Sequence, residues 1–221
     1  MCRLTQLRHE PRKSAGTLFR GFVLLLLSRS SLSLISSPVH GTIFSLLKRY
    51  VQTQYDHSTW VRLVEAAGLT SADFDHKSVY PDEHMYALVG QAAEMTGIPA
   101  HELHEKFGEY LVPDLMYMYQ RLLRPEWKTL DLLEHTENTM HRQVRLDHAE
   151  NAPPVLHVTR LSPDELVIDY VSSRRMGALA VGIVRGIAAH YDEADQIEVE
   201  PTTSEEGERV SIRVRRVASP R

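Results

Sequence analysis

Tyr170, Ser172 and Arg174 are spaced by two in the run Tyr170-Val171-Ser172-Ser173-Arg174. In an extended strand, residues two apart leave the same face. This spacing therefore sets a phenol hydroxyl, an aliphatic hydroxyl and a guanidinium fork side by side. Such a donor-rich surface suits paired carboxylates, because the guanidinium offers bidentate, charge-assisted bonds and the hydroxyls complete the set. Read alone, the tripeptide is more ordinarily an edge strand with polar residues facing water. Twelve histidines make a search for ligands worthwhile. His101-Glu102-Leu103-His104-Glu105 carries two histidines three apart, which can share a helix face. The zincin pattern needs them four apart with glutamate after the first, so a charged, solvated face is the plainer expectation there.

Composition narrows the classes. With 221 residues, 43% hydrophobic and 24% charged, the chain is long enough for one ordinary globular domain plus an extension. A formal net charge of −4 argues against a nucleic-acid binder, which needs a basic face for phosphate. Cys2 is the one cysteine, which excludes an internal disulfide and a zinc site built on several thiolates. Residues 1–38 stand apart. They hold Arg3, Arg8, Arg12, Lys13, Arg20 and Arg29 against the single acid Glu10, so the charge changes sign at their end. The apolar run Gly21–Leu27 is too short to span a bilayer, although a basic start and short apolar core also resemble a secretory signal. A bacterial GUG valine codon can serve as a start, and helix patterning begins at Val39-His40-Gly41. The expectation is that 1–38 is translated upstream sequence and that the native domain is 39–221.

The elements follow from periodicity. Ile43, Leu46, Leu47, Tyr50 and Val51 mark one amphipathic helix. A second starts at Ser58 and stops at Gly68. A third runs Asp82 to Met95 with Asp82 as its cap. A fourth region, Ala100 to Leu123, is expected to bend near Pro113, and Glu126 to Leu146 reads as one long helix. After Pro153-Pro154 the period becomes two. Strands are expected at 155–160 and 165–171, joined by a turn at Ser162-Pro163-Asp164. A helix over 176–191 and a hairpin of 197–200 with 209–214 complete an α+β chain, its helical half first and an antiparallel, sheet-forming half second. Met116-Tyr117-Met118-Tyr119 is expected to spread bulky side chains around a helix.

In this order and with these motifs, the chain from 39 onward resembles the H-NOX family, the haem nitric oxide/oxygen-binding domains related to the sensor domain of soluble guanylate cyclase. His40-Gly41-Thr42-Ile43-Phe44 is similar to the family's opening. Asp82–Gly97 followed by Phe107-Gly108 is similar in pattern and place. Tyr170, Ser172 and Arg174 meet the Tyr-x-Ser-x-Arg signature. His141 stands 29 residues before that tyrosine on a helix, and Pro154 matches the proline that comes after it.

The resemblance implies a haem b between the two halves. His141 is then the axial iron ligand, with His135 and His148 as its nearest rivals. Tyr170, Ser172 and Arg174 hold the propionates, and Pro154 presses on the porphyrin, although Pro153-Pro154 also simply opens a strand. Oxygen-binding members carry a tyrosine nine residues after the signature tyrosine; here that position is Leu179. Ile43 and Leu47, expected on the same distal side, are also apolar. The implied function is a nitric oxide sensor, also able to take carbon monoxide, that excludes oxygen. Release of His141 would switch two states. No output segment follows Val214, so the signal is expected to reach a separate cytoplasmic protein, such as a histidine kinase or a cyclic-di-GMP enzyme, without nucleic acid or membrane. A peroxidase-type haem enzyme is disfavoured because no polar distal acid–base group is apparent. A haem-free helical interaction domain is the remaining alternative.

Overall fold

A computed structural model describes residues 38–147 and 153–218. The expected 1–38 extension, save Pro38, and the rival ligand His148 lie outside the described residues. The described residues begin with strand β1 (Val39–His40), helix α1 (Gly41–Gln54) and helix α2 (His57–Ala66). Strand β2 (Val79–Tyr80) pairs antiparallel with β1, a two-stranded ribbon that sequence periodicity had not suggested. Helices α3 (Asp82–Thr96) and α4 (Ala100–Met118) follow. The caps are local chemistry. The His40 ring accepts the Thr42 N–H at the start of α1, and the Asp56 carboxylate accepts the Thr59 N–H at 2.7 Å at the start of α2. Asp82, expected as a cap, is instead the first residue of α3, behind Pro81.

These helices close on an apolar cluster that includes Phe44, Leu47, Trp60, Leu88, Phe107 and Leu111. Phe44 stacks on Phe74 with ring centres 4.5 Å apart, and the buried Trp60 indole donates to the Ala72 carbonyl at 2.9 Å. Around Met116–Tyr119 the expected spread is observed. Met116 is buried, Tyr117 is 74% exposed, and Tyr119 packs against a second apolar cluster, which includes Trp127, Leu130 and Leu166.

The stretch expected as one long helix is broken. It divides into α5 (Thr129–His135), a π-helical turn (Glu137–His141) and α6 (Arg142–Asp147). The His141 amide donates to the Thr136 carbonyl, five residues back, at 3.1 Å. The Thr136 and Thr139 hydroxyls each bond a carbonyl four residues earlier, and such back-bonding competes with the regular amide ladder. Wide turns of this kind concentrate at functional sites.

The second half is a four-stranded antiparallel sheet in the order β3 (Val155–Ser162), β4 (Glu165–Val171), β6 (Arg209–Arg216), β5 (Ile197–Pro201). Alternate residues Leu166, Ile168 and Tyr170 on β4, and Val210, Ile212 and Val214 on β6, are buried, the period-two pattern of a half-covered sheet. Helix α7 (Gly177–His190) contributes Val181, Val184, Ile187 and Ala188 to the same cluster. It also runs against α4 with the two backbones nearly touching. A Cβ at Gly182 would lie 2.0 Å from the Glu105 carbonyl oxygen, and one at Gly108 would lie 2.4 Å from that of Leu179. Glycine is required at both positions. Ile183 on α7 packs against both apolar clusters.

Candidate functional site

His141 sits at the end of the π-helical turn, with its side chain largely buried. Its Nδ1 is 3.0 Å from Glu137 Oε2. The same carboxylate oxygen accepts the Leu156 N–H at 3.1 Å, and Arg145 bonds the other oxygen. Burial works against charge on Glu137, but the Leu156 amide, His141 and Arg145 outweigh it and hold the carboxyl below its ordinary range. Burial pulls the His141 imidazole below its usual value, against the opposing pull of Glu137 and of the nearby Pro154 carbonyl. A buried, neutral imidazole with its Nδ1 committed to a carboxylate is the form that ligates metals. Pro154 thus lies beside His141, directly ahead of β3. The rival His135 packs edge-on against Trp127, ring centres 4.8 Å apart.

Tyr170, Ser172 and Arg174 are brought together, but not as one strand face. Strand β4 ends at Val171. The Arg175 amide closes a turn on the Ser172 carbonyl at 3.3 Å, and Arg175 takes a left-handed φ of 48°, a strained choice for a non-glycine residue. The turn, rather than strand alternation, gathers the donors. The buried Tyr170 hydroxyl is within hydrogen-bonding reach of the Ser172 hydroxyl and of the Met176 backbone; burial raises its pKa while these contacts and Arg174 oppose that. Ser172 Oγ accepts the Arg174 N–H at 3.2 Å. The Arg174 guanidinium donates to the Pro38 carbonyl at 2.7 Å. Asp82 and Tyr86, near the start of α3, face this guanidinium, and the Tyr86 hydroxyl donates to the Arg174 carbonyl. Burial, with Asp82 nearby, pushes the Tyr86 phenol up to about 12.

Glu137 and Tyr170 are tied to one strand pair. Leu156, which donates to Glu137, stands opposite Tyr170 in the β3–β4 register. Directly opposed residues in such a pair are about 5 Å apart. On the helical side, Ile43, Leu47 and Leu179 belong to one apolar cluster, Leu47 being 5% exposed. No polar residue was expected there, and the three expected side chains are aliphatic.

His104 departs from its expected solvated face. It is buried, its Nε2 has no hydrogen-bond partner, and burial pushes its pKa down to about 4. Among the described residues, no group of three or more His, Cys, Asp or Glu side chains is arranged to hold a metal ion. A cleft lined by Glu109, Arg185, Ala188, Ala189, Ile197 and Val199 shares no residue with the features above. Sequence reading missed Glu137, whose i, i+4 spacing from His141 was a legible signal. It also missed Asp82, Tyr86 and the Pro38 carbonyl around Arg174, which only the tertiary fold assembles.

A helical half on a four-stranded antiparallel sheet, with a carboxylate-held histidine and a Tyr/Ser/Arg donor group, describes a haem-sensor type of domain. A family model described as Haem-NO-binding matches residues 40–200, and the chain belongs to that family, the H-NOX domains. Soluble guanylate cyclase 89Db of Drosophila melanogaster is 22% identical over 156 residues, covering 69% of this chain and 23% of that protein. The chain therefore spans about a quarter of that relative's length. Among solved structures, an H-NOX protein from S. oneidensis in the Fe(II)NO ligation state aligns with a TM-score of 0.74 at 19% identity, covering 81% of this chain and all of that one. The Fe(II) unliganded H-NOX protein from K. algicida gives 0.74 at 19% identity, with 81% and 97% covered. A point mutant of the T. tengcongensis H-NOX gives 0.70 at 16% identity, with 82% and 99% covered. The family's domains are sensors rather than enzymes, which sets the peroxidase alternative aside. Among the described residues, no helix is long and apolar enough to cross a membrane.

Proposed function

We propose that this chain is a haem-based nitric oxide sensor that excludes oxygen and signals to a separate protein. The donor set fits the group: one buried imidazole with Nδ1 held by a carboxylate, and a guanidinium with two hydroxyls for carboxylates. In this reading His141 is the axial ligand of haem b. Tyr170, Ser172 and Arg174 hold the propionates, and Pro154 bears on the porphyrin. When bound, the haem would supply a ferrous iron able to take a diatomic gas.

The chain's own residues select the gas and carry the response. Ile43, Leu47 and Leu179 bring no hydrogen-bond donor to the gas, so bound oxygen lacks the polar contact that stabilises it, whereas nitric oxide and carbon monoxide need less. His141 is carried on the π-helical turn and held by Glu137, which is bonded to β3, so a displacement of the imidazole would be passed to that turn and strand. The partner in this reading is a cytoplasmic signalling protein of the histidine kinase or cyclic-di-GMP enzyme kind, in a bacterial setting.

The observation that carries the proposal is the buried His141 held by Glu137 beside Pro154, on a turn bonded to the strand that faces Tyr170. Absorption spectra of the ferrous protein in air, and then with nitric oxide, test it. The reading predicts no oxygen complex in air and a clear change with nitric oxide. A stable oxygen complex would refute gas exclusion, and a colourless protein after expression with ample haem would refute the cofactor assignment.

A further inference from the structure

We propose that Glu137 is a positioning residue that sets how firmly His141 holds the haem iron. The proposal rests on His141 being the axial ligand and adds to that reading a determinant of how easily nitric oxide frees it. Both carboxylate oxygens are committed. Oε2 takes His141 Nδ1 and the Leu156 N–H at 3.0 and 3.1 Å, and Oε1 takes Arg145. The carboxylate is thus fixed between the turn and β3 and cannot swing away without losing three bonds. A carboxylate on the outer nitrogen of a ligating imidazole fixes its tautomer and orientation and raises its basicity, strengthening the metal bond. Arg145 acts in the opposite sense, drawing charge from the same carboxylate. Glu137 and Arg145 therefore form a push–pull pair on the ligand. Because Leu156 faces Tyr170, the same carboxylate joins the ligand's position to the strand pair that carries Tyr170 and leads into the turn of Ser172 and Arg174.

Resonance Raman spectroscopy of the ferrous holoprotein reads the iron–histidine stretch directly, and redox titration reads the midpoint potential. Glu137→Gln keeps the shape and removes the charge. It is expected to lower the stretch, raise the potential and weaken imidazole binding about tenfold or more, seen as faster loss of the iron–histidine band after nitric oxide is added. Glu137→Asp, which restores the charge, recovers part of each shift. Arg145→Gln, on the exposed side of the pair, moves both readouts the other way and remains informative should Glu137→Gln fold poorly. Parent values for stretch and potential in Arg145→Gln, or in a folded Glu137→Gln, overturn the proposal. His141→Gly separates the failures. If it keeps an iron–histidine band, the ligand assignment falls and this proposal with it. If it loses the band while the Glu137 and Arg145 variants match the parent, the Glu137 role alone is refuted.

Discussion

His104→Leu should make the protein more resistant to acid. The buried His104 imidazole has no partner at Nε2, and burial pushes its pKa from 6.5 down to about 4. In the folded state the ring stays neutral while an unfolded chain takes up a proton near pH 6.5. Its folded pKa is depressed, so stability is fully present above pH 6.5 and is lost as the pH falls toward 4. At 1.36 kcal/mol per pH unit, the whole gap amounts to about 3 kcal/mol. Urea unfolding of the holoprotein, parent and variant, at pH 7.5 and 4.5 measures it. His141 and loss of cofactor contribute to both chains and cancel in the comparison. Between the two pH values, the variant should lose about 2–3 kcal/mol less than the parent. At pH 7.5 it should be no less stable, since removing an unsatisfied buried nitrogen relieves a cost of about 1–3 kcal/mol. Equal losses in the two chains would refute the reasoning.

The glycine contacts and the donor triad each give a further expected outcome. Gly182→Ala, whose Cβ would sit 2.0 Å from the Glu105 carbonyl oxygen, should cost about 1–3 kcal/mol and lower Tm by several degrees. Gly90→Ala on α3, with nothing within 4 Å, should leave Tm unchanged or slightly raised, and a calorimetric scan of both variants reads the contrast. Arg174→Ala should speed haem transfer to apomyoglobin about 10–100-fold, the equivalent of losing charge-assisted hydrogen bonds worth about 1.5–3 kcal/mol, with circular dichroism showing that the fold persists.

Much of the fold was legible because its periodicities are strong. Leu166, Ile168 and Tyr170 alternate as a half-buried strand must, and Ile43, Leu46, Leu47 and Val51 follow a helical face. The failures are equally physical. The stretch from Thr129 to Asp147 has a continuous helical pattern, and nothing in hydrophobic spacing reveals that hydroxyls at Thr136 and Thr139 will take carbonyls from the ladder and open a π-helical turn. Ser172 and Arg174 keep a strand's spacing, yet Arg175 adopts a left-handed φ and the segment turns. His104 has charged neighbours in sequence, but its environment is set by the packing of α4, where a glycine contact with α7 brings the helices together. The resemblance to a family rested on His141, Pro154 and the Tyr170–Arg174 run; what surrounds them, Glu137 and Asp82 above all, is tertiary information.

The account stands on a single imidazole carrying the iron. Ferrous His141→Gly protein, produced with ample haem and compared with and without added imidazole, tests it most directly. The expected result is poor pigment uptake and no iron–histidine band, both restored by free imidazole. Uptake and spectrum identical to the parent in the absence of imidazole would contradict it.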